Sequence, residues 1–149
     1  MHLSREPAGP ERAPAEQACR WSNGTAVFTS GSPFAPVELD GRRFVPGQCN
    51  NAYVFPGLGL GAIVAGARSI TDAMFHAAAR TLAGLVEESS LEQGLLFPPL
   101  SELRHVSTRI AAAVATVAYE EGLATVPRPD DIESAVRAQM YDATYPSYV

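Results

Sequence analysis

The chain has 149 residues, enough for one domain, since a chain of this size hides roughly two-thirds of its unfolded surface. Hydrophobic residues make up 46% and charged residues 18%, a globular balance, and the net charge of −5 argues against nucleic acid and anionic membranes as partners. All eleven basic residues are arginine, so the chain has no lysine to serve as general base, Schiff base or phosphate clamp.

Residues 1–14 are rich in proline, glycine and charge and are expected to be a loose N-terminal segment, with the folded part spanning 15–149. No apolar run precedes residue 20, so no signal peptide is expected. Cys19 and Cys49 make neither a disulfide framework nor a metal-ligand spacing, and a cytoplasmic setting is the simpler expectation. Ala15 to Trp21 reads as a short helix stopped by Ser22-Asn23-Gly24. Thr25 to Thr29 is β-branched and aromatic without alternation, the pattern of a strand buried on both faces. Val37-Glu38-Leu39 and Arg42-Arg43-Phe44-Val45 flank Asp40-Gly41, a strong hairpin signal because both central turn residues need positive φ.

The stretch Gln48-Cys49-Asn50-Asn51 then runs into Pro56-Gly57 and a glycine-rich helix start. Paired carboxamides offer uncharged donors and acceptors, suited to an anionic or carbonyl ligand at a helix N-terminus, although adjacent asparagines also simply favour a turn. Gly57 to Arg68 reads as a buried helix whose glycines permit close approach of another backbone. Asn50 to Ala67 is low in charge but is too short and too broken by proline and glycine for a membrane span. Gly57-Leu58-Gly59-Leu60-Gly61-Ala62 matches G-x-G-x-x-A, which as a nucleotide fingerprint needs a preceding strand and an acidic residue about twenty positions on. Asp72, the nearest acid, falls early in a helix, and a packing helix is the preferred reading.

Thr71 is expected to cap a helix to about Val86 with Met74, Phe75, Ala78, Ala79, Leu82, Leu85 and Val86 apolar and Asp72, His76 and Arg80 on another face. A helix from near Ser101 to Glu121 carries the stripe Leu103, Val106, Ile110, Val114 and Val117 and stops at Gly122. A last helix opens at Arg128-Pro129, with Asp130 and Glu133 as a capping box and Ile132, Val136 and Met140 as its stripe. His2 falls in the loose end, His76 and His105 sit on helices and read as solvated or packed, and the Glu87-Glu88 and Glu120-Glu121 pairs read as solvated helix ends rather than catalytic or metal-binding groups. Cys49 has no histidine near it in sequence and reads as a substitution rather than a nucleophile. Tyr141, Tyr145 and Tyr148 read as cover for an apolar surface. One strand and a hairpin cannot make a satisfied sheet alone, so the pattern is a piece of an α/β domain.

Several of these stretches occur together in one order: Ser30-Gly31-Ser32-Pro33-Phe34; Asp40-Gly41-Arg42 before Phe44 and Pro46-Gly47-Gln48; Asn50-Asn51 with Tyr53, Phe55, Pro56 and Gly57; Gln93-Gly94; Pro98-Pro99-Leu100. On these residues the chain, from about Ala15 to Tyr141, resembles the C-terminal part of malic enzymes, the NAD(P)-dependent oxidative decarboxylases of malate. The resemblance implies a C-terminal fragment of a Rossmann-like NAD(P)-binding domain, mostly helical, with one core strand and a hairpin. It implies that Asn50 holds a malate carboxylate or hydroxyl, that Asn51 lies close to malate and the nicotinamide, and that Ser30 and Gly31 lie at the cofactor edge. It assigns no catalytic or metal-binding residue to this chain. The family's general-acid tyrosine, general-base lysine, acidic ligands for Mg²⁺ or Mn²⁺ and dinucleotide fingerprint precede the matched region.

Two departures stand out. Cys49 occupies a family glycine, and Leu3-Ser4-Arg5-Glu6-Pro7 replaces a Leu-Ser-Asn-Pro segment whose asparagine touches malate. The expected ligands are NAD or NADP and malate or pyruvate, with inactivity alone and association with a chain supplying the missing domain, or a homo-oligomer. The alternative is a non-catalytic remnant or interaction module with exposed apolar surface where missing elements should pack.

Overall fold

A computed structural model describes residues 15–142. Along the chain it holds α1 (Ala15–Trp21), β1 (Thr29–Ser30), β2 (Val37–Leu39), β3 (Arg42–Phe44), β4 (Gly47–Gln48), α2 (Phe55–Ala65), α3 (Asp72–Gly84), α4 (Glu88–Glu92), α5 (Leu103–Glu120) and α6 (Ile132–Gln139). Single 3₁₀ turns at Asn51–Tyr53 and Leu100–Glu102 lead into α2 and α5. The described residues form two units, one of 15–50 with 88–96 and one of 51–87 with 97–142. The expectations for residues 1–14, Tyr145 and Tyr148 lie outside the described residues.

The first unit is built on turns. Helix α1 ends where Asn23 and Gly24 take positive φ, and the Gly24 N–H donates to the Cys19 carbonyl at 2.8 Å. The predicted hairpin forms, with Asp40 at φ 51° and Gly41 at 73°, and Val37 opposite Phe44. Ala15, Cys19 and Val37 are its buried core, packed by Phe28, Phe34, Leu39 and Phe44. Strand β1 pairs in parallel with β4, Thr29 opposite Gly47 and Ser30 opposite Gln48.

The expected strand Thr25–Thr29 is displaced and shortened to Thr29–Ser30, and Val27 is 54% exposed rather than buried on both faces. Pairing defines a strand, and from the stretch 25–30 Thr29 and Ser30 alone meet a parallel partner. That partner, Gly47–Gln48, has none of the β-branched composition that announces a strand.

Helix α5 is the axis of the second unit. Val106, Ile110, Ala111, Val114, Ala115 and Ala118 are fully buried. Met74, Ala78 and Leu82 of α3, and Leu58 and Ala65 of α2, complete the core. Helix α2 lies against α5 through two of its glycines. An added Cβ at Gly57 would sit 2.7 Å from Ile110 Cβ, and one at Gly61 would sit 2.5 Å from the Ala111 carbonyl oxygen. Gly57 and Gly61 of the G-x-G-x-x-A run are therefore packing glycines, whereas a Cβ at Gly59 would meet nothing within 4 Å. Gly66, at φ 59°, closes α2 in the left-handed conformation. Gly122, at φ 67°, follows α5 as expected.

Tyr53, buried beneath the start of α2, donates its hydroxyl hydrogen to the Pro98 carbonyl at 2.6 Å and lies against Phe97. Tyr53→Phe is expected to leave that carbonyl unpaired at a cost of about 1–3 kcal/mol, read as a lower midpoint in urea unfolding with an unchanged slope.

Four local expectations are corrected. Thr71 precedes α3 but makes no capping bond; its hydroxyl pairs with Glu121 Oε2 at 3.0 Å instead. The cap of α6 is Asp131, not Asp130: its carboxylate accepts from Ser134 N at 3.0 Å and from Ser134 Oγ at 2.6 Å. Helix α2 is not buried all round: Ile63 is 71% exposed and Phe55 55%. Tyr141, expected to be cover for an apolar surface, is 70% exposed.

The Ser134 hydroxyl, then the Ser134 N–H, hold the Asp131 carboxyl below its ordinary range. A depressed pKa in the folded state stabilises at pH above the unfolded value and loses that contribution as pH falls through the folded one. Protection of the Ser134 amide, taken relative to the unstructured-peptide exchange rate at each pH, is expected to fall once pH drops below the ordinary carboxylate range in the native chain and to stay flat there in Asp131→Asn.

Candidate functional site

The parallel register of β1 and β4 brings two loops side by side. Both strands end at the same edge, so Ser30 and Gly31 leave β1 beside Gln48 and Cys49 leaving β4. The Gly47 N–H donates to the Phe28 carbonyl and the Cys49 N–H to the Ser30 carbonyl, each at 2.9 Å. Gln48 Nε2 donates to the Gly31 carbonyl at 3.4 Å. A Cβ at Gly31 would stand 3.6 Å from the Cys49 carbonyl oxygen, an ordinary contact, so residue 31 fits here without crowding.

The Ser30 hydroxyl oxygen accepts from the Ser32 N–H at 3.4 Å, which leaves its hydrogen to donate outward. Asn50 follows Cys49 and is exposed. Asn51, the next residue, begins the second unit in the 3₁₀ turn before α2, and its carbonyl accepts from Val54 N at 3.1 Å. Ser30, Gly31 and Asn50 thus share one unit and one strand edge, and Asn51 is joined to them through the chain.

Gln48 is the residue that spacing did not single out. It lies in the stretch Pro46-Gly47-Gln48, and its tie to Gly31 requires the parallel pairing, which no local pattern announces. Cys49 is exposed and is not among the positive-φ residues, so the backbone here needs no glycine. His76 and His105 are exposed on α3 and α5, in the second unit. A cavity of about 380 Å³ in the first unit, lined by residues including Cys19, Phe28, Arg42, Phe44 and Leu91, contains none of the predicted site residues.

The donor set is uncharged: a hydroxyl, backbone N–H groups and carboxamides. It fits the carboxylate of a small acid or the amide of a nicotinamide ring. It does not fit a divalent cation, which takes carboxylate oxygens, and among the described residues no group of three or more His, Cys, Asp or Glu could hold a metal ion.

Ligands of open α/β sheets bind outside the carboxyl ends of parallel strands, and polar residues there followed by a helix form the ligand edge of such a domain. Comparison with known proteins names the domain. The family model "Malic enzyme, NAD binding domain" matches residues 1–119, and the chain belongs to that family. It is 53% identical over 131 residues to an NADP-dependent malic enzyme of Dictyostelium discoideum, covering 88% of this chain and 24% of that protein. It is 50% identical over 143 residues to one of Populus trichocarpa, covering 95% of this chain and 24% of that protein. NADP-dependent malic enzyme 4, chloroplastic, of Arabidopsis thaliana is 49% identical over 143 residues, covering 95% of this chain and 22% of that protein. The chain spans about a quarter of the length of these relatives. Among the described residues no helix is long and apolar enough to cross a membrane.

Proposed function

We propose that this chain supplies the substrate-side and cofactor-side edge of a malic-enzyme active site. The reaction served is malate + NAD(P)⁺ → pyruvate + CO₂ + NAD(P)H, and it needs the rest of the family's polypeptide. The observation that carries this reading is the parallel register that seats Ser30-Gly31 beside Cys49-Asn50 at one strand edge. The Asn50 carboxamide donates to a malate carboxylate or hydroxyl. Asn51 lies close to malate and the nicotinamide, and Ser30 and Gly31 bound the cofactor edge. NADP is the favoured cofactor, since the relatives named above are NADP-dependent. The workplace is a reducing cytoplasm, in keeping with two unpaired cysteines, one buried and one exposed.

The proton and metal steps are not run by these residues. The chain has no lysine to take the hydroxyl proton, and its described residues hold no acidic cluster for Mg²⁺ or Mn²⁺. The purified chain with malate, NADP⁺ and Mn²⁺ is therefore expected to form no NADPH above the protein-free rate, measured at 340 nm. NADPH is expected to appear when the chain is mixed with the Dictyostelium discoideum relative lacking its matching quarter. Turnover by the chain alone, or none in the mixture, overturns the reading.

The second reading is a non-catalytic interaction module, favoured by the large apolar residues left exposed on α2. It predicts binding of the same relative without binding of malate, which titration calorimetry of the mixture separates from the first.

A further inference from the structure

The chain is acidic overall, with a net charge of −5, and each of its basic residues is an arginine. Three of those arginines gather where the start of α5 meets the end of α6. Arg104 and Arg137 line a groove of about 420 Å³ there, together with Ser101, Glu102 and His105. Arg109 stands further along α5 and pairs across to α6.

The local charges do not cancel. The Glu133 carboxylate is divided between two cations, with Arg109 Nη1 at 3.6 Å from one oxygen and Arg137 Nη2 donating to the other. Glu102 is the one acid among the lining residues. Three guanidinium groups therefore stand against two carboxylates, on a chain whose balance runs the other way.

The lining is also fixed in advance. Arg104 Nη1 donates to the Tyr141 carbonyl at 2.8 Å, which holds the guanidinium and leaves it further N–H donors. Thr108 is a buried lining residue whose hydroxyl meets the Arg104 carbonyl at 2.9 Å and Met140 Sδ at 3.1 Å, tying α5 to α6 beneath the groove. Side chains already held lose less freedom when a ligand arrives.

The donors come from three places on the backbone: Ser101 in the 3₁₀ turn, Arg104 and His105 on α5, and Arg137 on α6. A carboxylate offers two oxygens in one plane, and a single guanidinium fork satisfies it. Donors from several elements suit a tetrahedral phosphate group, whose oxygens accept from several directions. Glu102 repels a bare anion but accepts from a hydroxyl, which selects a phosphate carried on a hydroxylated body. The groove volume falls in the range that small-molecule sites occupy.

We propose that the groove between α5 and α6 binds a small hydroxylated phosphate monoester, with Arg104 and Arg137 clamping the phosphate and Glu102 accepting from the hydroxyl. The site shares no residue with the strand edge and does not depend on the reaction proposed for it.

The test is titration of the full ¹⁵N-labelled chain in phosphate-free buffer at fixed ionic strength, followed by backbone amide shifts. The probes are glycerol 3-phosphate, inorganic phosphate and succinate. Glycerol 3-phosphate is expected to shift the amides of Ser101, Arg104, His105 and Arg137 saturably. It is expected to bind several-fold more tightly than inorganic phosphate, and succinate more weakly than either. Arg104→Gln and Arg137→Gln are each expected to weaken binding by about tenfold, the loss of one hydrogen bond to a charged group. Arg42→Gln, at an exposed arginine on β3, is expected to leave it unchanged.

No saturable shift in the native chain overturns the proposal, and so do equal shifts around Arg42 and Arg43. Inorganic phosphate or succinate binding as tightly as glycerol 3-phosphate also overturns it. These outcomes are read on the native chain, so they stand even if Arg104→Gln, which loses the bond to Tyr141, unfolds.

Discussion

Gly61→Leu is expected to prevent folding of the second unit, and Gly61→Ala to lower its stability by about 3 kcal/mol, the upper end of the overpacking range. The reason is local and severe. A Cβ at residue 61 meets the Ala111 carbonyl oxygen at 2.5 Å and the Val114 Cβ at 2.8 Å, and the carbonyl is helix backbone that cannot step aside. Gly57→Ala is expected to act in the same direction more mildly, since it presses on the Ile110 side chain at 2.7 Å as well as on the Ser107 carbonyl at 2.9 Å. The neighbouring substitution has the opposite sign. Gly59→Ala meets open space, so helix propensity alone is expected to raise stability by roughly 0.5–1 kcal/mol. Thermal melts of the three alanine variants check the ordering. Equal effects at 57, 59 and 61 would remove the account of α2 against α5.

Asn50→Ala is expected to raise the KM for malate of the reconstituted assembly by about ten- to a hundredfold. A hydrogen bond to a charged group contributes roughly 1.5–3 kcal/mol, and alanine removes it without adding charge. Asn50→Asp is expected to be worse, because a second carboxylate faces the acid and like charges repel. The melting temperature of the isolated chain is expected to move little in either variant, since Asn50 is exposed at the end of the first unit. Steady-state kinetics over a malate series, with NADP⁺ saturating, separates this from a general loss of activity. An unchanged KM in both variants would take Asn50 out of the site.

The α5 stripe was readable because its apolar residues recur at helical spacing, and Val106, Ile110 and Val114 are buried as that spacing requires. The hairpin was readable because Asp40-Gly41 is chemistry that few other turns want. The end of α1 was readable from Asn23-Gly24, and the close approach of α2 from its glycines. Cap positions were less legible. Asp130 and Asp131 are both capable of capping, and only the local path of the chain gives the role to Asp131. Thr71 had the right chemistry for a cap, but Glu121 takes its hydroxyl from 50 residues away.

The candidate site divides in the same way. Asn50 and Asn51 could be named from the residues that surround them in order, and so could Ser30 and Gly31. Their arrangement could not. Ser30 lies beside Gln48 and Cys49, the residues just before Asn50, only because β1 and β4 pair in parallel, and both strands are two residues long. Gln48 acquires its tie to Gly31 from the same register.

What the sequence determined by itself is whatever depends on residue type and short spacing: the turns, the helix stripes, the absence of lysine and the ordered set of family stretches. Tertiary structure alone decided which side of α2 is covered, which of its three helix-interior glycines has a packing partner, and which loops share the strand edge. Those outcomes depend on pairing between residues far apart along the chain, where a partner's position, and not a residue's own propensity, sets what is buried.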